Sequence, residues 1–175
     1  MIIDSHCHLN YEPMSLFLKE TIDRANTIGV KYLLTISSED TCFGKILNII
    51  SKNECVYGSY GIHPHEAKNH QSIKSEDIIK KTKLNKKIIG IGESGLDFYY
   101  NHSDKKDQIT CFEEHIVAAQ NTQLPLIVHT RNAETETLEI LKNKLNKKNF
   151  KILIHCFTGS KEFAFRLLDL GAYIS

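Results

Sequence analysis

Seven short stretches of the chain are apolar almost throughout, and each predicts a β-strand. They cover residues 1–5, 31–36, 55–60, 87–92, 124–129, 151–155 and 172–175. Strands that are apolar on both faces are typical of a parallel sheet with both faces covered. Successive strands start about 20 to 36 residues apart, which is the length of one βα unit. The pattern therefore predicts a single α/β domain over residues 1–175.

Apolar residues at helical spacing fill most of the intervals between these strands. The stripes are Leu18, Ile22, Ala25 and Ile28; Phe43, Ile46 and Ile50; Ile109, Phe112, Ile116 and Ala119; Leu138, Leu141 and Leu145; and Ala164, Leu167 and Leu168. A shorter, Lys-rich helix is predicted over residues 75–84, and Gly159-Ser160 marks the start of the last helix. No Gly-x-Gly-x-x-Gly follows the first strand, which disfavours a dinucleotide-binding fold.

Residue types that commonly bind metals lie at the ends of several predicted strands. Six of the nine histidines lie at such ends, namely His6, His8, His63, His65, His129 and His155. Glu93 follows the fourth strand, and Asp97 comes four residues later. Each residue alone also has a structural explanation: a histidine can cap a backbone carbonyl, Glu93 can be an exposed loop carboxylate and Asp97 can be a helix cap. A β/α barrel explains the whole pattern better, because its strand ends meet on one face.

Composition narrows the class of protein without deciding its function. The chain is 41% hydrophobic and 25% charged with a net charge of +1, so no strong field attracts it to nucleic acid or membrane. An enzyme that contacts only a few phosphates is still compatible with this charge. The five cysteines are scattered and odd in number, which predicts reduced thiols in a cytoplasmic protein. We find no secretory signal and no apolar run near the roughly 18 residues that span a bilayer.

The residue types at the strand ends indicate a divalent-metal site. Imidazoles with a carboxylate suit zinc, manganese or nickel, and magnesium where waters complete the coordination. The candidate ligands are more than one open catalytic site needs, which suggests two ions bridged by Glu93. Paired ions activate a bridging water and suit the hydrolysis of phosphodiesters, amides or lactones.

Five motifs in register along the whole chain resemble the TatD family of metal-dependent deoxyribonucleases, within the amidohydrolase-like superfamily. They are Asp4-Ser5-His6-Cys7-His8, Gly61-Ile62-His63-Pro64-His65, Gly92-Glu93-Ser94-Gly95-Leu96-Asp97, Pro125-Leu126-Ile127-Val128-His129-Thr130-Arg131 and His155-Cys156-Phe157-Thr158-Gly159-Ser160. Two small departures, Ser94 and Thr130, do not fall on ligand positions.

The resemblance implies a TIM-type barrel that hydrolyses DNA, typically as a 3′-to-5′ exonuclease, with a water bridging two divalent ions (Mg, Mn or Zn). It implies that the metal ligands are His6, His8, Glu93, His129 and His155. Glu93 and His63 would be catalytic, and His63 and His65 would contact substrate phosphate or assist protonation. Arg131 and Asp97 would support the site beside the substrate.

The end of the chain departs from the family pattern. A complete (β/α)8 barrel takes roughly 250 residues, and these 175 stop inside the expected seventh strand. The family's last metal ligand is an aspartate after the eighth strand that also acts as general base. No residue matches it, since Asp169 lies on the preceding predicted helix. We therefore expect an incomplete barrel with about six and a half of its eight βα units and weak or no turnover by the isolated chain.

The expected partners follow from this interpretation. The substrate would be DNA, at a 3′ end or as a single strand, and a C-terminal fragment would complement the chain. No membrane is expected as a partner, and the complete protein is expected to be a monomer. Two alternatives stay open. One is another hydrolase of the superfamily, acting on an amide, a lactone or an aminoacyl ester. The other is a non-catalytic remnant that binds metal or needs a C-terminal piece to fold.

Overall fold

A computed structural model describes residues 1–175 as alternating strands and helices. In chain order they are β1 (Ile2–Cys7), α1 (Leu18–Thr27), β2 (Val30–Thr35), α2 (Asp40–Lys52), β3 (Val56–Tyr60), a 3₁₀ helix (Pro64–Asn69), α3 (Ser75–Thr82), β4 (Ile88–Asp97), α4 (Lys105–Thr122), β5 (Leu126–Arg131), α5 (Glu134–Leu145), β6 (Ile152–Ile154), α6 (Lys161–Asp169) and β7 (Tyr173–Ile174). All seven predicted strands are present. No helix combines the length and the apolar character that crossing a membrane would require.

The seven strands form one parallel sheet in the order β1 to β7, so every strand pairs with its neighbour in sequence. This order is that of a TIM-type barrel, in which the strand ends carry the site. The sheet curls but stays open, because β1 and β7 do not pair with each other. The predicted incomplete TIM-type barrel is therefore confirmed.

The helices cover the sheet through their apolar stripes. One cluster of 32 buried residues extends from Leu9 to Ala172 and joins strands and helices in a single core. Phe112 and Ile116 of α4 are fully buried, as are Val128 of β5 and other strand residues. Because this core fixes the strand ends relative to one another, it also fixes the residues that follow them.

Two residues of the predicted apolar stripes do not face the core. Ile28 is 74% exposed because α1 ends at Thr27 and Gly29, with φ +96°, turns the chain away. Leu168 is 51% exposed, and Phe163 fills the core from α6 in its place. Phe163 lies four residues before the buried Leu167 and therefore lies on the same face of the helix. Leu168 is one residue further along the helix, so its side chain points away from this face.

Strand β4 is longer than predicted. The apolar run predicts an end at Gly92, directly before Glu93, but the strand continues to Asp97. Gly95 has φ +153°, and a Cβ there would overlap the carbonyl oxygen of His129 on β5. Only glycine allows this close approach. The extended strand buries Glu93 and Asp97, so Glu93 is not an exposed loop carboxylate and Asp97 is not a helix cap.

Candidate metal centre

The carboxyl ends of β1, β4, β5 and β6 meet at one mouth of the sheet, together with the start of the 3₁₀ helix. The six strand-end histidines and Glu93 all lie there, although up to about 150 positions separate them in sequence. A cavity of about 370 Å³ opens between them. Its lining includes His8, His63, His65, Glu93, His129 and His155. The structure thus brings together every histidine that the sequence placed at a strand end.

Glu93 is the centre of this arrangement and is only 3% exposed. Its Oε1 lies 3.0 Å from His129 Nδ1, 3.1 Å from His155 Nε2 and 3.5 Å from His63 Nε2. Its Oε2 lies 3.3 Å from His6 Nε2. Burial by itself raises the pKa of Glu93, but hydrogen bonds from His129, His155 and His6 hold that pKa well below its usual range. The carboxyl group is therefore ionised at neutral pH.

Two groups of three side chains at this mouth could each hold a cation. One consists of His6, His8 and Glu93, and the other of His63, Glu93 and His129. Within each group the donor atoms all lie within 4.8 Å of one another. Both groups contain Glu93, so this carboxylate is the side chain that they share.

Buried polar atoms at the carboxyl end of β1 provide a test of whether a cation fits. The Nδ1 atoms of His6 and His8 are buried without a hydrogen-bond partner. Leaving a buried polar atom unpaired costs about 1–3 kcal/mol, so such atoms call for a ligand. Imidazole nitrogens with a shared carboxylate are a donor set that suits zinc or manganese. The residues present therefore fit divalent cations.

The geometry differs in detail from the ligand set that the resemblance implied. His63 was expected to contact substrate, yet it belongs to one of the two candidate groups. His155 was expected to be a ligand. It lies against Glu93 and stacks on His6 with ring centres 3.6 Å apart, but it belongs to neither group of three. The roles of His6, His8, Glu93, His129 and His155 as ligands stay predictions.

Asp97 contacts two of these histidines, His65 and His129. Its Oδ2 lies 2.9 Å from His65 Nε2 and 3.0 Å from His129 Nε2, while its Oδ1 accepts the backbone N–H groups of Tyr99 and Tyr100 at 3.0 Å each. Burial opposes ionisation of Asp97, but these hydrogen bonds lower its pKa to about 2. Carboxylates that orient metal-binding histidines in this way tune the metal site.

His129 lies between the two carboxylates, with Nδ1 towards Glu93 and Nε2 towards Asp97. Burial lowers the pKa of His129, but hydrogen bonds and charge interactions with Glu93 and Asp97 outweigh it, and the net shift is upward. Two negatively charged neighbours thus make this imidazole a strong site for a proton or a metal cation.

Gln108 on α4 supports the site and was missed by sequence reasoning. It is fully buried; its Oε1 accepts the Asp97 N–H at 2.8 Å, and its Nε2 donates to the Asp97 carbonyl at 3.0 Å. A signal was present in the sequence, because Gln108 lies four residues before Phe112 on the apolar face of the helix. A polar residue on such a face needs a buried partner.

His115 was also missed. Its Nε2 accepts the backbone N–H of Ile62 at 3.1 Å, and its Nδ1 donates to the Cys111 carbonyl at 2.7 Å. Burial lowers the pKa of His115 to about 4, so the ring is neutral and can accept this hydrogen bond. Ile62 directly precedes His63, and His115 therefore fixes the backbone that carries a candidate ligand.

Arg131 ends β5 opposite Asp97 but does not form an ion pair with it. Its guanidinium carbon lies 4.3 Å from the ring centre of Tyr99 and 4.8 Å from that of Tyr100. Arg131 thus contacts two exposed tyrosines beside the mouth, and its supporting role stays a prediction.

Comparison with known proteins identifies the family of the chain. A model of the family described as TatD related DNase matches residues 3–175. The chain belongs to the TatD-related DNase family. A relative of this TatD chain in Buchnera aphidicola (subspecies Baizongia pistaciae), named an uncharacterized metal-dependent hydrolase, is 38% identical over 99% of the chain and 66% of its own length. A Citrobacter koseri protein named a 3′-5′ ssDNA/RNA exonuclease is 31% identical over 91% of the chain and 62% of its own length.

Among solved structures, a TatD homologue from Escherichia coli K12 matches with a TM-score of 0.88 and 26% identity. The aligned region covers 99% of this TatD-family chain and 66% of the solved protein. The chain thus spans about two thirds of the length of these relatives.

Proposed function

We propose that this TatD-family chain carries the metal centre of a hydrolase that cleaves phosphodiester bonds of DNA as a 3′-to-5′ exonuclease. The observation that carries the proposal is the buried Glu93 carboxylate, which has four imidazoles around it and is shared by two candidate metal groups. The exonuclease name of the Citrobacter koseri relative supports the substrate and the bond. The proposed cofactors are two divalent ions, held by His6, His8 and Glu93 on one side and by Glu93 and His129, with His63 or His155, on the other.

Bound divalent ions would supply Lewis-acid polarisation of a phosphate and a lowered pKa for water. The chain's own residues position the substrate. His63 Nδ1 accepts the His65 N–H at 3.2 Å, so the proton of the neutral ring is on Nε2. Burial lowers the pKa of His63 to about 3, and the ring lines the cavity with its Nε2 3.5 Å from Glu93 Oε1. Where His155 completes the second metal group, this N–H would donate a hydrogen bond to a phosphate oxygen.

His65 and Asp97 hold the other side of the phosphate position. Asp97 fixes the His65 ring through Nε2, and the ring also lines the cavity. Asp97 and Glu93 together hold His129 in one orientation. A fixed donor arrangement costs no reorganisation when the substrate binds, which is why such sites lower the barrier to hydrolysis.

The experiment compares hydrolysis of single-stranded DNA, an ester and a cyclic amide by the purified chain with Mn²⁺ or Mg²⁺. The proposal predicts that DNA is the substrate and that Glu93→Gln abolishes turnover. Glu139→Gln changes an exposed residue of α5; it is the matched control and should keep the turnover of the unmodified chain. Hydrolysis of the ester or the amide without DNA cleavage would show a different branch of the superfamily.

We propose further that the 175 residues alone turn DNA over weakly. The support is the open sheet, whose edge strands leave Ile2, Ile3 and Tyr173 exposed by 54%, 55% and 67%. Adding the last third of the Buchnera relative as a separate polypeptide should cover these edges and raise turnover. Robust turnover by the chain alone, unchanged by that addition, would contradict this expectation.

A further inference from the structure

Two exposed tyrosines lie directly beside the candidate metal centre. The residues that form this centre do not account for their exposure. Tyr99 and Tyr100 follow the end of β4 and are 56% and 49% exposed. Their rings are perpendicular, with centres 4.8 Å apart. Large aromatic rings that stay exposed in pairs are a feature of binding surfaces, since burial would otherwise be favoured.

The pair is held in place by the site itself. Both backbone N–H groups donate to Asp97 Oδ1, whose other oxygen accepts from His65 and His129. The Arg131 guanidinium lies over both rings and donates to the Tyr100 hydroxyl at 3.4 Å. A cation over aromatic faces stabilises this arrangement. These contacts therefore fix the positions of Tyr99 and Tyr100, which together are called the platform below. Asp97 contacts both the platform and the histidines of the metal centre.

A cleft continues from the platform between the ends of β5 and β6. Its volume is about 400 Å³, within the range of roughly 300–1,000 Å³ that is usual for ligand sites. Tyr99 and Arg131 line one side, and Thr158 and Phe163 the other. Glu134 also lines it, but its carboxylate is occupied by the N–H and hydroxyl of Ser160. Arg131 is thus the charged group of the cleft that is available to a ligand.

We propose that Tyr99, Tyr100 and Arg131 form a stacking subsite for an unpaired base of single-stranded DNA. The proposal rests on the proposed function and adds to it the residues that select the single strand. Proteins that bind single strands combine aromatic rings, which stack on bases of any sequence, with cations that contact the backbone. A base inside a duplex is already stacked on both faces, so it cannot lie on this platform without leaving the helix.

The test separates base stacking from phosphate binding. Fluorescence anisotropy measures the affinity for a labelled oligothymidylate and for an abasic strand of the same length, both with a hydrolysis-resistant phosphorothioate backbone and Mn²⁺. The proteins compared are the wild type, the double variant Tyr99→Ala/Tyr100→Ala, the double variant Tyr99→Phe/Tyr100→Phe and the control Tyr32→Ala. Tyr32 is 42% exposed on β2 and lines neither cavity. Because the chain contains no tryptophan, base stacking should also quench its tyrosine fluorescence.

The wild type should bind the oligothymidylate about tenfold more tightly than the abasic strand. The alanine double variant should lose this preference, whereas the phenylalanine variant and Tyr32→Ala should keep it. Circular dichroism of each variant checks the fold. An alanine double variant with the wild-type preference, or a wild type that hydrolyses DNA without preferring the strand that has bases, would overturn the subsite and leave the proposed function standing. A wild type that neither binds nor hydrolyses DNA would overturn the proposed function and the subsite with it.

Discussion

Gln108 holds both backbone polar groups of Asp97: its side-chain oxygen accepts the Asp97 N–H, and its side-chain nitrogen donates to the Asp97 carbonyl. Asp97 in turn bridges His65 and His129 at the mouth of the cavity. A residue of α4 that faces the core therefore determines where two histidines of the candidate metal centre lie.

Gln108→Ala should weaken both the fold and the metal site. It leaves the Asp97 N–H and carbonyl buried without partners, which should lower the free energy of unfolding by about 2 kcal/mol or more. Loss of such support should also lower Mn²⁺ affinity about tenfold. Urea unfolding and calorimetric Mn²⁺ titration measure the two effects. Gln71→Ala, which removes an exposed hydrogen bond to Asp107, is the control and should change stability by less than about 0.5 kcal/mol. A Gln108→Ala variant as stable as this control would refute the role.

Glu93→Gln should remove metal binding while the chain stays folded. The substitution keeps the size of the side chain but removes the charge that four imidazoles face. Loss of this shared carboxylate should lower Mn²⁺ affinity at least about 100-fold, more than loss of a supporting residue. Calorimetric titration measures the affinity, and Glu139→Gln should bind as the wild type does. Unchanged Mn²⁺ affinity in Glu93→Gln would place the metal elsewhere.

His115 should make stability depend on pH in the weakly acidic range. Burial lowers its pKa to about 4, whereas in the unfolded chain the pKa is about 6.5. Below about pH 6.5 His115 becomes protonated in the unfolded chain but stays neutral in the folded chain. The contribution of His115 to the free energy of unfolding is therefore complete above this pH and decreases as the pH falls towards 4. Between about pH 7.5 and pH 5 this group alone should cost about 2 kcal/mol.

The comparison of wild type with His115→Gln isolates this contribution, because all other titrating groups are shared. Urea unfolding at both pH values gives the two free-energy differences, and that of the variant should be smaller by about 2 kcal/mol. The glutamine side chain can still accept the Ile62 N–H. Equal pH dependence in the two proteins would mean that the ring is not buried in its neutral form.

Gly95→Ala and Gly44→Ala should shift stability in opposite directions. A Cβ at Gly95, which has φ +153°, would overlap the His129 carbonyl oxygen, so we expect a loss of at least about 2 kcal/mol and weaker metal binding. A Cβ at Gly44 meets open space on α2, and alanine should add about 0.5–1 kcal/mol there. Thermal unfolding measures both changes. A stable Gly95→Ala variant with normal metal affinity would show that β4 and β5 are not so closely packed.

The sequence predicted the strands and the gathering of the histidines because both follow from local patterns. Apolar runs mark buried strands, and parallel strand ends must meet on one face. The extension of β4 to Asp97 was not predictable in this way, because Glu93-Ser94-Gly95 interrupts the apolar run and is buried only through tertiary contacts. The partners of Gln108 and His115 were missed for the same reason. His115 and Ile62 are 53 positions apart, and no periodicity records such a pairing.

The most direct test of the metal centre is an anomalous difference map from a crystal of this chain grown with Mn²⁺. We expect two peaks, one on either side of the Glu93 carboxylate. One should lie towards His6 and His8, and the other towards His129 and His63 or His155. A map with strong manganese peaks elsewhere and none within coordinating distance of Glu93 would contradict it.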